Sequence, residues 1–97
     1  MKSAAAPGLE FVDNTAENRY ELYLGGERIG LADYALRDAT MVIPHTEIDP
    51  RHGGCGFGSQ MVRRALDDIR ARGLRVVPAC PFVAHVIARN PAYADLL

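Results

Sequence analysis

The sequence predicts a single α/β domain, an α+β fold on a mixed sheet, with the order β-β-β-β-α-β-α. Three observations predict it: apolar and polar residues alternate through the first half, helical spacing takes over after Pro50, and a short apolar run follows that helix. With 97 residues the chain has room for one compact domain with a modest core. Residues 9–97 are therefore expected to fold as one unit, behind a disordered N-terminal lead over residues 1–8.

The first half of the chain is typical of an antiparallel meander. Residues 19–24 alternate between apolar and polar side chains, which is the period of a strand covered on one face. Gly25 and Gly26 then suit a two-residue hairpin turn. Further strands are predicted over residues 28–36 and 40–48, and the polar and apolar residues 10–13 suit a first strand.

The second half combines two helices with one strand. A first amphipathic helix is indicated by apolar residues at helical spacing, namely Phe57, Met61, Val62, Ala65, Leu66 and Ile69. Gly73 suits the end of this helix, and residues 74–78 form a short apolar run that predicts a strand parallel to an earlier one. Pro81 suits the first turn of a second helix, which is expected to end before Asn90.

Composition excludes several classes of function. The 11 basic and 12 acidic residues give a net charge of -1, which provides no field for holding a nucleic-acid backbone. The two cysteines, Cys55 and Cys80, have neither zinc-ligand spacing nor a disulfide framework, so we expect no metal site and a reducing cytoplasm. No apolar run is long enough to span a bilayer, and we expect a soluble protein with no membrane partner.

A glycine-rich turn, Gly53-Gly54-Cys55-Gly56-Phe57-Gly58, lies between the last meander strand and the first helix. Glycines allow the backbone to approach a ligand closely, and the first amides of a helix offer free donors to an anion. Neither the Walker nor the Rossmann phosphate pattern fits these residues. The turn predicts a pyrophosphate site, with a flexible connecting loop as the alternative.

Four segments in order carry a resemblance to a known family. They are residues 44–48 (Pro-His-Thr-Glu-Ile), the glycine-rich turn, residues 76–82 (Val-Val-Pro-Ala-Cys-Pro-Phe) and the tail from Asn90 to Leu97. Together they resemble the small, single-domain (YjdJ-type) proteins of the GNAT acetyltransferase superfamily. The chain departs from the family pattern at Gly53, where a basic or amide residue is usual, and at Asn90, where His is usual. Arg51 could substitute for the missing basic side chain.

The resemblance implies a minimal GNAT acyl-CoA N-acyltransferase fold, with the thioester in a splay between two strands. It also implies acetyl-CoA as cosubstrate and direct transfer of acetyl to an amine without a metal. The residues that this resemblance assigns to CoA binding lie at the end of the last meander strand and in the turn: Ile48, Arg51, Gly53, Gly54, Cys55, Gly56, Phe57 and Gly58.

Three residues are candidates for the chemistry of amine acylation, which requires a base near neutral pKa. His45 and Glu47 lie two apart on a predicted strand and so share one face. Cys80 precedes a helix, where free amides favour a thiolate. The structural alternatives are a hydrogen-bonded imidazole at His45, an exposed edge carboxylate at Glu47 and a small buried side chain at Cys80. A covalent acyl-cysteine step at Cys80 is a secondary hypothesis.

The sequence therefore favours an N-acetyltransferase that acts on the amine of a small molecule or a protein. The first alternative is a CoA-binding or acyl-CoA-binding module that senses its ligand or recruits a partner without turnover. A purely structural adaptor, in which the turn binds nothing, is the third interpretation. Both a monomer and a small homo-oligomer are compatible with the sequence, and nothing in residues 9–37 names the amine acceptor.

Overall fold

The computed structural model describes residues 8–97, and its order of elements matches the predicted mixed α/β class. In this part of the chain the elements are β1 (Leu9–Asn14), β2 (Arg19–Leu24), β3 (Glu27–Arg37), β4 (Thr40–Ile48), α1 (Phe57–Ala71), β5 (Arg75–Val77) and α2 (Pro81–Arg89). Short 3-10 turns, which the sequence pattern does not predict, cover Pro50–His52 and Pro91–Leu96. Of the lead predicted over residues 1–8, residues 1–7 lie outside the described residues, and the Gly8 carbonyl accepts a hydrogen bond from the Gly25 N–H at 3.1 Å.

The strands form one sheet in the order β1-β2-β3-β4-β5. Strands β1 to β4 are antiparallel neighbours, and β5 pairs with β4 in parallel after the crossover through α1. Gly25 and Gly26 join β2 to β3 with φ angles of 58° and 86°, and a type I′ hairpin turn requires the left-handed region at both positions. The sheet is therefore the predicted meander with a parallel strand at its edge.

A β-bulge at Pro44 changes the alternation of side chains along β4. Asp33 of β3 pairs with His45, and Ala35 pairs with Val42, so β4 carries one residue more than β3 between the two pairs. An extra residue of this kind is left unpaired and moves the following side chains to the opposite faces. Pro44 suits the position because it cannot donate a ladder hydrogen bond.

The bulge gives the end of β4 two chemically different faces. We call the side of the sheet that carries both helices the helix face and the other side the open face. Thr46 and Ile48 lie on the helix face, where they line a cavity with residues of α1. His45 and Glu47 lie on the open face, as the period of the strand predicts.

The core fills the space between the helix face and the two helices. It is a single cluster, with Tyr20, Leu22, Met41 and Ile43 from the sheet, Met61, Leu66 and Ile69 from α1, and Val83 and Val86 from α2 among its members. The helical spacing seen in the sequence thus corresponds to the buried side of each helix. Within residues 8–97, neither helix has the length and apolar character that crossing a lipid bilayer requires.

A polar network closes the C-terminal end of α1. The Tyr20 hydroxyl donates to Asp68 at 2.8 Å, the Tyr34 hydroxyl donates to Asp13 at 2.6 Å, and the Arg72 guanidinium pairs with both carboxylates. Burial and the hydrogen bond to Asp68 raise the pKa of Tyr20, and burial and the bond to Asp13 raise that of Tyr34 to about 12. The two phenols therefore remain donors, and they tie α1 to strands β1, β2 and β3.

Candidate functional site

A cavity of about 400 Å³ lies between the end of β4, the glycine-rich turn and the start of α2. Strand β4 supplies two side chains, the turn and the first residues of α1 supply most of the wall, and α2 supplies one aromatic ring. The lining residues are Thr46, Ile48, His52, Gly53, Gly54, Gly56, Phe57, Gly58, Ser59 and Phe82. Six of the eight residues predicted to bind CoA are in this set, together with four that were not predicted there.

The backbone of the turn explains its glycines. Gly54 and Gly56 have φ angles of 78° and 80°, in the left-handed region that other residues rarely adopt. Gly58 is required for a different reason, because a Cβ atom there would lie 3.1 Å from the Phe82 ring and 3.3 Å from the Ile48 side chain. A side chain at position 58 would therefore close the cavity between α1 and β4.

The N-terminal end of α1 opens into this cavity with free backbone donors. Its N-cap residue is Gly56, which has no side chain to cap the helix. The Gln60 N–H donates to the Gly56 carbonyl at 3.1 Å, as the first hydrogen bond of the helix. The N–H groups of the first turn have no intrahelical acceptor, and the helix dipole adds partial positive charge there. The turn fits an anionic group such as a phosphate, because it offers donors and open space and because the described lining residues include no carboxylate.

Arg51 and Cys55, the other two residues predicted to bind CoA, lie outside the lining of the cavity. The Arg51 guanidinium donates hydrogen bonds to the Asp49 carboxylate, with 2.7 Å between Nη2 and Oδ2, and to the Glu27 carboxylate. These contacts raise the pKa of Arg51, and they lower the pKa of Asp49 to about 2. A phosphate contact from Arg51 would require its guanidinium to leave both carboxylates. The Cys55 thiol is exposed and lies 3.8 Å from the Gly53 carbonyl.

His52 lines the cavity, although its place in a loop favours a solvated side chain. Its ring lies edge-on to Phe57 with 6.1 Å between centroids. Its Nδ1 atom is buried, and the part of the chain that the structure describes gives it no hydrogen-bond partner. A buried polar atom without a partner is costly, so this nitrogen is available to a bound polar group.

His45 and Glu47 form a hydrogen-bonded pair on the open face of β4. The Nε2 atom of His45 lies 2.6 Å from the Glu47 carboxylate, and the two side chains are 52% and 62% exposed. The hydrogen bond that the ring donates to the Glu47 carboxylate raises the pKa of His45 above its ordinary value of 6.5, and the negative charges of Glu47, Asp33 and Cys80 act in the same direction. Glu47 therefore orients the imidazole and increases its basicity.

Cys80 lies where β4 and β5 separate. Strand β5 pairs only with Thr40–Val42, and beyond that point the Cys80 N–H donates to the Ile43 carbonyl at 2.8 Å. The thiol is the N-cap side chain of α2, it is 6% exposed, and its sulfur lies 3.5 Å from the Thr46 hydroxyl. This separation of the two strands is the splay that the family resemblance implies.

The environment of Cys80 favours its thiolate. Burial alone raises the pKa of a thiol, but here the Thr46 hydroxyl, 3.5 Å from the sulfur, and the nearby N–H groups of Val83, Phe82 and Thr46 outweigh it and lower the pKa below 9.0. Thr46 is thus shared, since it lines the cavity and contacts the cysteine.

The structure brings these groups together around the end of β4. The cavity lies on the helix face, the pair of His45 and Glu47 lies on the open face, and Cys80 lies in the split between β4 and β5. Four of the lining residues were not selected from the sequence: Thr46, His52, Ser59 and Phe82. Phe82 follows Cys80 in the segment that carries the family resemblance, and this position could have indicated it. Among the described residues no group of three His, Cys, Asp or Glu side chains is placed to hold a metal ion.

Two solved structures have the same fold. A solution NMR structure of a GCN5-like candidate N-acetyltransferase from Staphylococcus aureus superposes with a TM-score of 0.71 at 22% identity, over 94% of this chain and 89% of that chain. The crystal structure of the ribosomal-protein-S18-alanine N-acetyltransferase from Escherichia coli gives a TM-score of 0.61 at 15% identity, over 88% of this chain and 52% of that chain. This chain therefore spans about half the length of the Escherichia coli enzyme.

Sequence comparison gives the family itself. A search of curated proteins finds no match. The family model described as GCN5-related N-acetyl-transferase matches residues 19–96, which include β2 to β5, both helices and the glycine-rich turn. Because this match covers most of the chain and the fold agrees with it, the protein belongs to the GCN5-related N-acetyltransferase family, as the resemblance of the four segments indicates.

Proposed function

We propose that the protein binds acetyl-CoA and transfers its acetyl group directly to an amine. The observation that supports this best is the cavity at the uncapped N-terminus of α1, which continues along Thr46 toward the split between β4 and β5. A phosphate site and a nearby cleft with ionisable side chains are the two parts that such a transfer requires. The family match supports the reaction class.

The residues present fit acetyl-CoA. The amides at the start of α1 would hold its phosphates, and the unpartnered Nδ1 of His52 would give them a further polar contact. Ile48, Phe57 and Phe82 would provide the apolar wall beside its chain. This arrangement replaces the basic side chain that the family usually has at the position of Gly53.

When bound, acetyl-CoA supplies a thioester carbon to which the amine nitrogen bonds while the carbon–sulfur bond breaks and CoA leaves as its thiolate. His45 is the proposed base, because its imidazole accepts a proton from the amine and Glu47 holds the ring in place. Cys80 lines the split with a hydrogen-bonded thiol. A covalent acyl-Cys80 step, in which this thiolate takes the acetyl group first, is the secondary form of the proposal.

A CoA-binding module without turnover is the second candidate. The observation that favours it is the position of the Arg51 side chain, which forms ion pairs with Asp49 and Glu27 and does not line the cavity. With fewer cationic groups at the turn, the protein would hold the ligand through backbone amides and would release it readily. In either case both cysteines are free thiols, and we propose a cytoplasmic location for the protein.

An acetyl-transfer assay tests the proposal. The purified protein is incubated with acetyl-CoA and a panel of primary amines, and the release of free thiol is followed against buffer hydrolysis. The proposal expects at least one amine to increase the rate, and His45→Ala to abolish most of that increase while the affinity for CoA is kept. Affinity for CoA with no accelerated release would support the binding module, and the absence of both would contradict the two candidates.

A further inference from the structure

The open face of the sheet contains a second cavity, of about 300 Å³. It forms beside an irregularity in β3, where Leu22 pairs with Gly30 and Tyr23 pairs with Arg28, so that Ile29 is left as an extra residue. The cavity is lined by Arg28, Ile29, Gly30, Leu31, Glu47, Asp49 and Pro50. Glu47 connects it to the catalytic candidates, because the same carboxylate bonds His45.

The two cavities lie on opposite faces of β4 and are separated by one strand. Thr46 and Ile48 line the helix-face cavity, whereas Glu47 and Asp49 line the open-face cavity. Strand β5 pairs with β4 as far as Val42 and the Cys80 N–H then bonds the Ile43 carbonyl, so in the described part of the chain β4 has no paired strand on this side beyond Ile43. A donor on one face and an acceptor on the other would thus meet at the edge of β4 beside His45.

We propose that the open-face cavity binds the acyl acceptor and that this acceptor is a primary alkyl ammonium. This inference rests on the proposed acetyl transfer and adds the location and the charge of the second substrate. The ammonium would be received by Glu47 and give one proton to His45. The free amine would then bond the thioester carbon as the carbon–sulfur bond breaks, and its second proton would leave on the CoA sulfur, which departs as the thiol. The half-buried side chain of Leu31 and the ring of Pro50 would contact the alkyl chain.

The charges on the open face favour a cationic acceptor over an anionic one. Glu21 is only 3% exposed, and its carboxylate is compensated by Arg19 at 2.7 Å and Arg28 at 3.5 Å. Asp49 is compensated in the same way by Arg51. Among residues 8–97 the ion pairs of Glu47 are limited to His45, which is neutral whenever it can act as a base.

Arg28 makes an anionic acceptor less suitable. Its guanidinium already neighbours Glu21, which also accepts hydrogen bonds from the Tyr23 hydroxyl at 2.8 Å and from Asn14 at 3.0 Å. These contacts lower the pKa of Glu21 to about 2, so its charge persists at neutral pH. A carboxylate on the acceptor would have to compete with Glu21 for the same cation.

The binding test uses 1,5-diaminopentane and, as a matched anion, glutarate of the same chain length. Each is titrated into the ¹⁵N-labelled protein with CoA present, and backbone amide shifts are mapped by NMR. We expect the diamine to shift Gly30, Leu31, Glu47 and Asp49, with little effect of glutarate. Diamine shifts confined to other parts of the chain, equal shifts from glutarate, or no shifts at all would overturn the proposal. Because the titration requires no turnover, its failure can be distinguished from failure of the proposed transferase activity.

Two pairs of variants sharpen this test. Leu31→Trp fills the cavity, and Val12→Trp places the same ring on the open face of β1, where the side chain is exposed. Leu31→Trp should weaken diamine binding by roughly tenfold or more, with CoA affinity within about twofold, whereas Val12→Trp should change neither. The isosteric Glu47→Gln should weaken diamine binding in the same way, and Glu10→Gln, which removes a charge from β1, should not. Unchanged diamine affinity in both Leu31→Trp and Glu47→Gln would overturn the assignment.

Discussion

The two ends of α1 differ in how their polar groups are satisfied. At the C-terminal end, Arg72 pairs with Asp68 and Asp13, and these two carboxylates accept hydrogen bonds from the hydroxyls of Tyr20 and Tyr34. At the N-terminal end the helix has a glycine N-cap without a side-chain hydrogen bond. One end therefore holds the fold together, and the other keeps its donors free for a ligand.

This difference has an energetic reason. Buried polar groups stabilise a protein when each has a partner, and the network of the C-terminal end meets that condition. A glycine N-cap costs roughly a few tenths of a kcal/mol relative to Ser, Thr, Asn or Asp, and it leaves the first amides of the helix without a side-chain acceptor, so that an anion can bind them. The comparison predicts that variants at one end change stability while variants at the other end change ligand affinity.

The largest effect is expected at the N-terminal end. Gly58→Val would place side-chain atoms against Phe82 and Ile48 and so close the cavity. We expect the affinity for CoA, measured by calorimetry, to fall by about 100-fold or more, since the ligand and the new side chain cannot share that space.

The matched control lies at the other end of the same helix. Gly73 has a φ of 71° and open space around it, so Gly73→Ala should lower the free energy of unfolding by about 1 kcal/mol and leave CoA affinity unchanged. Equal CoA affinity in Gly58→Val and the unaltered protein would contradict the assignment of the helix-face cavity as the CoA site.

A smaller effect is expected from the network at the C-terminal end. Tyr20→Phe removes the hydroxyl that bonds Asp68 and leaves a buried ring of the same shape. The free energy of unfolding in urea should fall by about 1 to 2 kcal/mol, with CoA affinity unchanged. Tyr93→Phe, which removes a more exposed bond to Asp67, should cost less than about 0.5 kcal/mol. A change in CoA affinity in Tyr20→Phe would show that the two ends are coupled.

The smallest effect concerns the pH dependence of transfer. His45 must be neutral to accept a proton, and its pKa is raised by Glu47, so activity should increase as pH rises through a value above 6.5. Glu47→Gln removes the negative charge that raises the pKa of His45 and should move this rise to lower pH. A pH profile of kcat/KM measures both, and a rise unaffected by Glu47→Gln would argue against His45 as the base.

Much of the fold could be predicted from sequence because its causes are local. Alternation of side chains located β2 and β4, the pair Gly25 and Gly26 fixed the hairpin, and helical spacing gave the buried side of α1. The shared face of His45 and Glu47 also followed from spacing alone, since the bulge at Pro44 precedes both residues.

The remaining features depend on contacts between distant parts of the chain. The Phe82 ring meets Gly58 only because α2 packs beside α1, and Arg51 is withdrawn from the turn by Glu27, which is 24 residues away. The open-face cavity arises from a register shift between β2 and β3 that no local pattern records. Register shifts and long-range ion pairs therefore marked the limit of the sequence prediction.

In the proposed complex the free amides at the start of α1 hold the phosphates of CoA. Calorimetric titrations of the protein with CoA and with pantetheine, which lacks the phosphates of CoA, test this contact. We expect saturable binding of one CoA per chain and a large loss of affinity for pantetheine, and an NMR titration of the ¹⁵N-labelled protein with CoA should shift the amides of Gly54, Gly56 and Gly58. Equal affinity for the two ligands, or no binding of CoA, would contradict it.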